Sequence, residues 1–258
     1  MQGIAGVPPD YFNEEGQLWG MPVYNWDAMA KSGYQWWIDR IAKNLELYDL
    51  IRLDHFRAFA AYWEVPAGLD TAKGGSWKAG PGTAIFEALV ANFDALPFIA
   101  EDLGEIDEEV YRLRDRYALP GMRVLQFAFG EDISVSPHVP HQYSDSNCVV
   151  YTGTHDNNTL LGWYEDEADQ ATKDRLAEYL GRRITSRNVT VAMLQLAYGS
   201  VAKIAILPMQ DLLKKGAKHR MNTPASLEEN WTWRLKPKEL DILCKKRIKR
   251  LLKLYNRC

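Results

Sequence analysis

The sequence predicts an α/β fold built on a parallel sheet. Solidly apolar strands alternate with amphipathic helices along most of the 258 residues, which is the pattern of a sheet covered by helices on both faces. Five such strands are recognisable, near residues 50, 98, 123, 149 and 204. Three of them end in, or are soon followed by, an acidic side chain. These observations fit either a closed β/α barrel or an open doubly wound sheet.

The predicted elements follow one another in a regular order. Residues 1–27 are rich in Gly, Pro and Asn without a clear period, so an ordered loop is expected there. A helix follows, in which Trp37, Ile41 and Leu45 recur at intervals of four. Further helices are predicted over residues 82–93, 108–117, 170–181, 188–198 and 238–255, and strands over 50–53, 97–102, 122–129, 148–153 and 203–209.

Composition argues against several classes of protein. A net charge of -3 leaves no basic excess to neutralise phosphates, so no nucleic-acid partner is expected. No apolar run is long enough to span a bilayer, and the first twenty residues lack the pattern of a signal peptide. Three cysteines without C-x-x-C spacing predict neither a disulfide framework nor a zinc site, and they favour a reducing, cytoplasmic location.

The basic segment at residues 245–257 could lie on a membrane surface. Its apolar residues form a stripe at helical spacing, comprising Ile248, Leu251, Leu252 and Tyr255. The stripe favours a helix that docks on the protein body, so no membrane partner is expected.

Aromatic residues are abundant, with nine Trp and thirteen Tyr. Core packing explains many of them. The alternative is sugar binding, because the apolar face of a pyranose ring stacks on an aromatic plane. Some of the tryptophans fall in predicted loops, where core packing is the weaker explanation.

Acidic residues mark the ends of three predicted strands. The stretch “LIRLD” ends at Asp54, “FIAED” ends at Glu101 and Asp102, and “VVYTGTHD” ends at Asp156. The carboxyl ends of parallel strands share one face of a barrel or one edge of an open sheet. The acids are therefore expected to converge.

The residues alone allow three interpretations of these acids. Arg52 and Arg57 could neutralise Asp54 in a scaffold network. The “DH” at residues 54–55 and the “HD” at 155–156 resemble ligands of a divalent metal, but both follow strands, whereas metal-dependent hydrolases carry such pairs on helices. The favoured interpretation is glycosyl chemistry, which uses one ionised and one protonated carboxyl group.

The surroundings of two acids suggest their roles. Arg52 stands two residues before Asp54 on the same strand face, which favours an anion and suits a nucleophile. Glu101 follows the apolar run “LPFIA”, which is expected to raise its pKa toward that of a general acid.

Long stretches of the chain resemble the 4-α-glucanotransferases known as amylomaltase or disproportionating enzyme, within the α-amylase clan. The resemblance rests on “IRLDHFRAFAAYWEVPAG”, “FIAEDLG”, “LPGMRVLQFAF”, “VVYTGTHDNNTLLGWY”, “LPMQDLL” and “RMNTP”, of which “THDNNT” and “AEDLG” are the most specific together. It implies a (β/α)8 TIM-barrel fold. It also implies transfer of α-1,4-glucan segments, from maltooligosaccharides, starch or glycogen, through a covalent glucosyl-enzyme intermediate, with no cofactor and no metal.

The resemblance also assigns roles to individual residues. It implies that Asp54 is the nucleophile, Glu101 the acid/base and Asp156 the third acid. It implies a further set of residues that contact or orient sugar, namely Arg52, His55, His155, Trp19, Phe127 and Asn222. Trp19 is expected in a loop above the catalytic face.

The chain departs from the family pattern in two ways. Ala225 and Glu229 stand where the family usually has glycine, which is expected to alter a loop near the substrate. About five of the eight barrel strands are recognisable, and the first three have no counterpart. Residues 1–258 are therefore expected to be the C-terminal part of a single catalytic barrel domain, with the missing N-terminal half as a candidate partner. An α-glucan hydrolase of the same clan and an inactive fragment are the alternatives.

Overall fold

The computed structural model describes residues 3–9, 13–104, 106–130, 132–226, 228–242 and 245–257. The chain divides into two compact units, Met1–Gly121 and Met122–Cys258. The described strands are β1 (Ile4–Val7), β2 (Gln17–Pro22), β3 (Ile51–Leu53), β4 (Ala61–Val65), β5 (Ser76–Ala79), β6 (Phe98–Ala100), β7 (Gly121–Val124), β8 (Cys148–Tyr151) and β9 (Ile204–Ile206).

The described helices are α1 (Trp26–Lys31), α2 (Gln35–Leu45), α3 (Thr83–Val90), α4 (Glu108–Arg116), α5 (Leu160–Gly162), α6 (Gln170–Tyr179), α7 (Val189–Gly199), α8 (Met209–Leu212), α9 (Pro237–Ile242) and α10 (Lys245–Leu254). A π-helical turn, Trp163–Glu167, continues α5. Among the residues that the structure describes, no helix is long and apolar enough to cross a bilayer.

Five strands form a parallel sheet in the order β3-β6-β7-β8-β9. Each strand lies beside the next one in the sequence, which is the order of a β/α barrel, whereas a doubly wound sheet reverses its order at a switch point. The five strands predicted from the sequence are confirmed. Strand β3 lies at one edge of the sheet and β9 at the other.

Strand β7 is shorter than the predicted strand at residues 122–129. It ends at Val124 and passes into a 3-10 turn, Leu125–Phe127. The backbone N–H of Val124 donates to the ring nitrogen Nδ1 of His138. The N–H of Val124, the last residue of β7, therefore takes no part in the strand ladder.

The first unit also contains an antiparallel sheet that the sequence reasoning missed. Its order is β2-β1-β4-β5, so the expectation of a loop over residues 1–27 is wrong. Gly16 shows why a Gly-rich segment folds this way: its φ is +66°, and a Cβ there would lie 2.5 Å from the carbonyl oxygen of Val7. Only glycine permits that close return of the chain.

Each unit has its own apolar core. In the first, α2, α3 and α4 pack their apolar faces around a cluster that includes Ile41, Phe56, Phe86 and Phe98. In the second, the core is built on β8, α5, α6 and α7, and it includes Phe129, Val150, Leu160, Leu176 and Met193.

The basic C-terminal segment docks on the second unit, as its apolar stripe predicts. Leu251 is buried, and the ring of Tyr255 would lie 3.1 Å from a Cβ placed on Gly199 of α7. Arg257 donates to the backbone carbonyls of Tyr198 and Ser200. Residues 243–244, in the middle of the predicted helix 238–255, lie outside the described residues.

Candidate active site

Asp54 follows β3 directly and points into solvent. Its side chain is 76% exposed, and its Oδ1 lies 2.7 Å from Nη1 of Arg52. The two side chains share a strand face because they are two residues apart. The predicted pairing of Asp54 with Arg52 is confirmed. The carboxylate is therefore open to an approaching ligand, with a guanidinium group beside it.

Glu101 follows β6, the strand beside β3. The register pairs Leu53 with Ala100, and the N–H of Glu101 donates to the carbonyl of Leu53 over 3.1 Å. Asp54 and Glu101 are therefore the next residues along two adjacent strands, and adjacent strands are about 4.8 Å apart.

The carboxyl group of Glu101 is partly buried and held by backbone donors. The N–H of His55 donates to Oε2 over 2.6 Å, and the N–H of Leu103 donates to Oε1 over 3.0 Å. Burial raises the pKa of Glu101 to about 7, although both hydrogen bonds and Arg52 oppose the rise. The raised pKa predicted from the apolar run before Glu101 is confirmed. At neutral pH a large fraction of Glu101 is protonated.

His55 adopts a left-handed backbone conformation, with φ 47°. That turn directs its N–H onto Glu101. Burial, with a smaller contribution from the charge of Arg57, lowers the pKa of His55 to about 4, so its ring is neutral. The ring of Trp19 meets the ring of His55 edge-on, with centroids 4.7 Å apart. Trp19 lies on strand β2, and its expected placement in a loop is wrong.

Asp102, the second acid of “FIAED”, is a scaffold residue. Its side chain is fully buried and lies 2.5 Å from Nη1 of Arg114 on α4. A Cβ on Gly121 would collide with the Asp102 carboxylate, so a larger residue there would have to displace the buried ion pair. The interpretation of a strand-end acid as part of a scaffold network with an arginine is thus right for Asp102.

Asp156 lies in the turn after β8 and is held by several residues of the second unit. Asn222 donates from Nδ2 to its Oδ1 over 2.6 Å, and Nε2 of His155 lies 3.2 Å from its Oδ2. Arg220 donates to the backbone carbonyls of Asp156 and Asn222. Arg220 also pairs with Glu167 at 3.3 Å. This arrangement fixes the direction of the Asp156 carboxylate.

Asp211 is a residue that the sequence reasoning missed. It accepts a hydrogen bond from the hydroxyl of Thr152, just after β8, and another from the N–H of Leu160 at the start of α5. It therefore ties together the two ends of the loop that carries Asp156. Burial raises the pKa of Asp211 to about 6. The only signal in the sequence is an acid inside the apolar “LPMQDLL”.

Two aromatic side chains of the second unit are open to solvent. Phe127, in the turn after β7, is about half exposed and meets the ring of His138 edge-on at 5.5 Å. Trp231 is more than half exposed, and its ring centroid lies 5.1 Å from that of His155. Phe127 was predicted as a sugar contact, whereas Trp231 was not.

The predicted site residues fall into two groups. The first unit brings together Trp19, Arg52, Asp54, His55 and Glu101, and the second brings together His155, Asp156 and Asn222. Phe127 lies in the second unit without a contact to these three among the described interactions. No cluster of three or more metal-binding side chains occurs in the described part of the chain. The thiol of Cys148 is buried and donates to the carbonyl of Asp145.

Comparison with known proteins identifies the family. The family model described as 4-alpha-glucanotransferase matches residues 1–241. The chain belongs to this family. It is 48% identical to the 4-alpha-glucanotransferase of Streptococcus pneumoniae serotype 4 over 256 residues, which is 98% of the chain and 50% of that protein. It is 48% identical to a chloroplastic/amyloplastic 4-alpha-glucanotransferase of Solanum tuberosum over 232 residues, 90% of the chain and 40% of that protein.

Solved structures give the same picture. Amylomaltase from Streptococcus agalactiae in complex with acarbose is 39% identical, with a TM-score of 0.91 over 99% of the chain and 51% of that protein. Amylomaltase from Corynebacterium glutamicum, 19% identical, shares the fold with a TM-score of 0.74 over 89% of the chain and 38% of that protein. The chain spans about half the length of the relatives it matches. The predicted α/β fold, an incomplete (β/α)8 barrel of five strands, is confirmed.

Proposed function

We propose that the chain carries the catalytic machinery of a retaining 4-α-glucanotransferase. The observation that supports this best is the contrast between Asp54 and Glu101. The carboxylate of Asp54 is exposed and paired with an arginine, whereas that of Glu101, its neighbour across the sheet, is partly buried with a pKa raised to about 7. Two carboxyl groups with opposed environments are what a retaining enzyme uses, at a separation of roughly 5–5.5 Å.

In the first step, Asp54 attacks the anomeric carbon of an α-1,4-linked glucosyl unit. The bond to the leaving oxygen breaks, and Glu101 gives its proton to that oxygen, which releases the shorter glucan. The product is a β-glucosyl ester of Asp54. The ordered N–H groups of His55 and Leu103 then hold the Glu101 carboxylate that results.

In the second step, Glu101 takes the proton of an acceptor 4-hydroxyl group, whose oxygen displaces Asp54. The acceptor must outcompete water, so aromatic contacts such as Trp19 and Phe127 are needed. Asp156, fixed by Asn222, holds hydroxyl groups of the distorted sugar ring. The proposal gives Arg52, His55 and His155 sugar-orienting roles.

The proposed substrates are α-1,4-glucans, namely maltooligosaccharides, starch or glycogen. The support is the family membership, together with the acarbose bound to the streptococcal amylomaltase. A cytoplasmic location is proposed from the cysteine pattern, although the potato relative is chloroplastic/amyloplastic.

We further propose that the chain is the C-terminal part of one catalytic barrel domain, completed by a segment that supplies the remaining strands. Among the described strands, β3 and β9 each have a single neighbour in the sheet, and the chain covers half the length of its relatives. The partner of the chain would then be the N-terminal half of the enzyme.

The test is incubation with maltotriose and separation of the products by size. Transfer gives glucans longer than maltotriose together with glucose, whereas a hydrolase gives only shorter products. The assay uses the chain itself and a chimera in which the chain replaces the matching half of the Streptococcus pneumoniae protein. If the chain alone does nothing and the chimera transfers, the machinery needs the other half. If neither changes maltotriose, the proposed function is wrong.

A further inference from the structure

One loop of the second unit, of which residues 221–226 and 228–231 are described, is held together by hydrogen bonds between those two parts. The N–H of Trp231 donates to the carbonyl of Met221 over 2.8 Å, which closes the loop at its base. Inside, Asn230 accepts from the N–H of Thr223 and donates to the carbonyl of Ser226, each over 2.8 Å. The described ends of the loop are therefore firmly fixed.

Both the backbone conformation and the exposure of Trp231 are energetically unfavourable. Its φ is 62°, in the left-handed region that bulky side chains rarely adopt. Its side chain is also 54% exposed, so much of its apolar surface stays in water. Neither feature stabilises the folded state. Backbone strain of this kind persists where the surroundings enforce it, and it concentrates at binding and catalytic sites.

The surroundings of Trp231 enforce its conformation. Its N–H is held by Met221, and its carbonyl accepts from Nη1 of Arg234 over 2.8 Å. With both backbone groups fixed, the indole is directed toward His155, at a ring tilt of 40°. His155 in turn contacts Asp156.

The loop therefore contributes to the Asp156 region at both of its ends. Near its start, Asn222 donates to the Asp156 carboxylate. At its end, Trp231 adds an exposed aromatic plane beside His155. A flat apolar surface next to hydrogen-bonding groups matches a pyranose ring, which has an apolar face and a rim of hydroxyls.

We propose that Trp231 is a sugar-binding residue, whose indole stacks on a glucosyl unit of the bound α-glucan while His155 and Asn222 contact its hydroxyl groups. This inference rests on the proposed function for the class of ligand. It adds Trp231 to the set of sugar-contacting residues that the resemblance implies.

Substitution of Trp231 by glycine tests the inference. Glycine adopts a positive φ without strain, so Trp231→Gly removes the ring and leaves the loop conformation accessible. Binding of acarbose is measured by calorimetry. The affinity is expected to fall about tenfold, which is about 1.4 kcal/mol, while the melting temperature does not fall. Trp231→Phe should restore most of the affinity.

The matched control is Trp36→Ala on α2, because Trp36 is exposed to a similar extent, 49%. Its affinity for acarbose should equal that of the unmodified chain. If the glycine variant melts early, Trp231→Phe and Trp231→Leu decide instead, since both keep an apolar side chain and only one keeps a flat ring. The affinity of Trp231→Leu for acarbose should then be about tenfold lower than that of the unmodified chain, because leucine lacks the flat ring.

The outcomes separate this inference from the proposed function. If the unmodified protein binds acarbose and Trp231→Gly binds equally well, the role of Trp231 is wrong and the proposed function stands. If phenylalanine does not restore binding, the loss is not due to stacking, and the inference fails. If neither the chain nor the chimera binds acarbose, both are overturned.

Discussion

The substitution Glu101→Gln tests the acid/base assignment through the dependence of stability on pH. Burial raises the pKa of Glu101 from 4.5 to about 7 in the folded protein. The stabilisation from the bound proton is fully present below pH 4.5 and is lost as the pH rises through about 7. At about 1.4 kcal/mol per pKa unit, the loss is about 3 kcal/mol.

Glutamine does not titrate, so it should remove this pH dependence. The free energy of unfolding of the unmodified chain, minus that of Glu101→Gln, should fall by about 3 kcal/mol between pH 4.5 and pH 8. Only the change with pH is informative. His55 and Leu103 donate to different oxygens of Glu101, and an amide accepts at one atom, so the variant also carries a pH-independent cost of about 1–3 kcal/mol.

The same variant gives a kinetic test. Loss of a general acid is expected to slow transfer from maltotriose about 10²–10⁴-fold. An α-glucosyl fluoride should be affected far less in the first step, because fluoride leaves without a proton. The assay follows fluoride release and glucosyl-enzyme formation in the chain and in the chimera. If Glu101→Gln forms glucosyl-enzyme from the fluoride no faster than Asp54→Asn, the acid/base role of Glu101 is refuted.

Further predictions concern chemistry, the strained loop and the open sheet edge. Asp54→Asn should abolish transfer from maltotriose and from the fluoride alike, which corresponds to several kcal/mol of lost transition-state stabilisation. Asp156→Asn should slow the reactions of both substrates to a similar extent. Unequal slowing would argue against a role of Asp156 in holding sugar hydroxyls. Ala225 has φ 61°, so Ala225→Gly should raise the free energy of unfolding by about 0.5–1 kcal/mol, while Ala84→Gly inside α3 should lower it by a similar amount. Because β3 has an open edge, size-exclusion chromatography of the chain should show dimers or larger species, and a clean monomer would contradict the open-edge argument.

The sequence predicted the parts of the fold that depend on local periodicity. Apolar residues recur at helical spacing in α2 and α4. Strands β3 and β6 lie in short apolar runs of the sequence. The antiparallel sheet was missed because β1 pairs with β4, more than fifty residues away, and its Gly-rich sequence has no local strand signal. Long-range pairing of this kind is set by tertiary contacts rather than by propensity.

The candidate site likewise combines features that the local sequence predicts with features that depend on the folded structure. Carboxylates at strand ends could be found by aligning the apolar runs, and the register of β3 with β6 follows from their parallel order. The positions that could not be found depend on backbone conformation or burial. Ala225, Glu229 and Trp231 have a left-handed φ that only the structure reveals. At Ala225 and Glu229 the family's usual glycine gave an indirect signal of it. The role of Asp211 depends on its burial against Thr152 and Leu160.

The central claim is that Asp54 forms a covalent bond to the glucosyl unit. The most direct measurement is mass spectrometry of the protein after incubation with α-glucosyl fluoride, using Glu101→Gln to slow turnover of the intermediate. The account predicts one added glucosyl unit, located on the peptide that contains Asp54, and none in the Asp54→Asn variant. A glucosyl unit on another residue, or its continued presence in Asp54→Asn, would contradict the account.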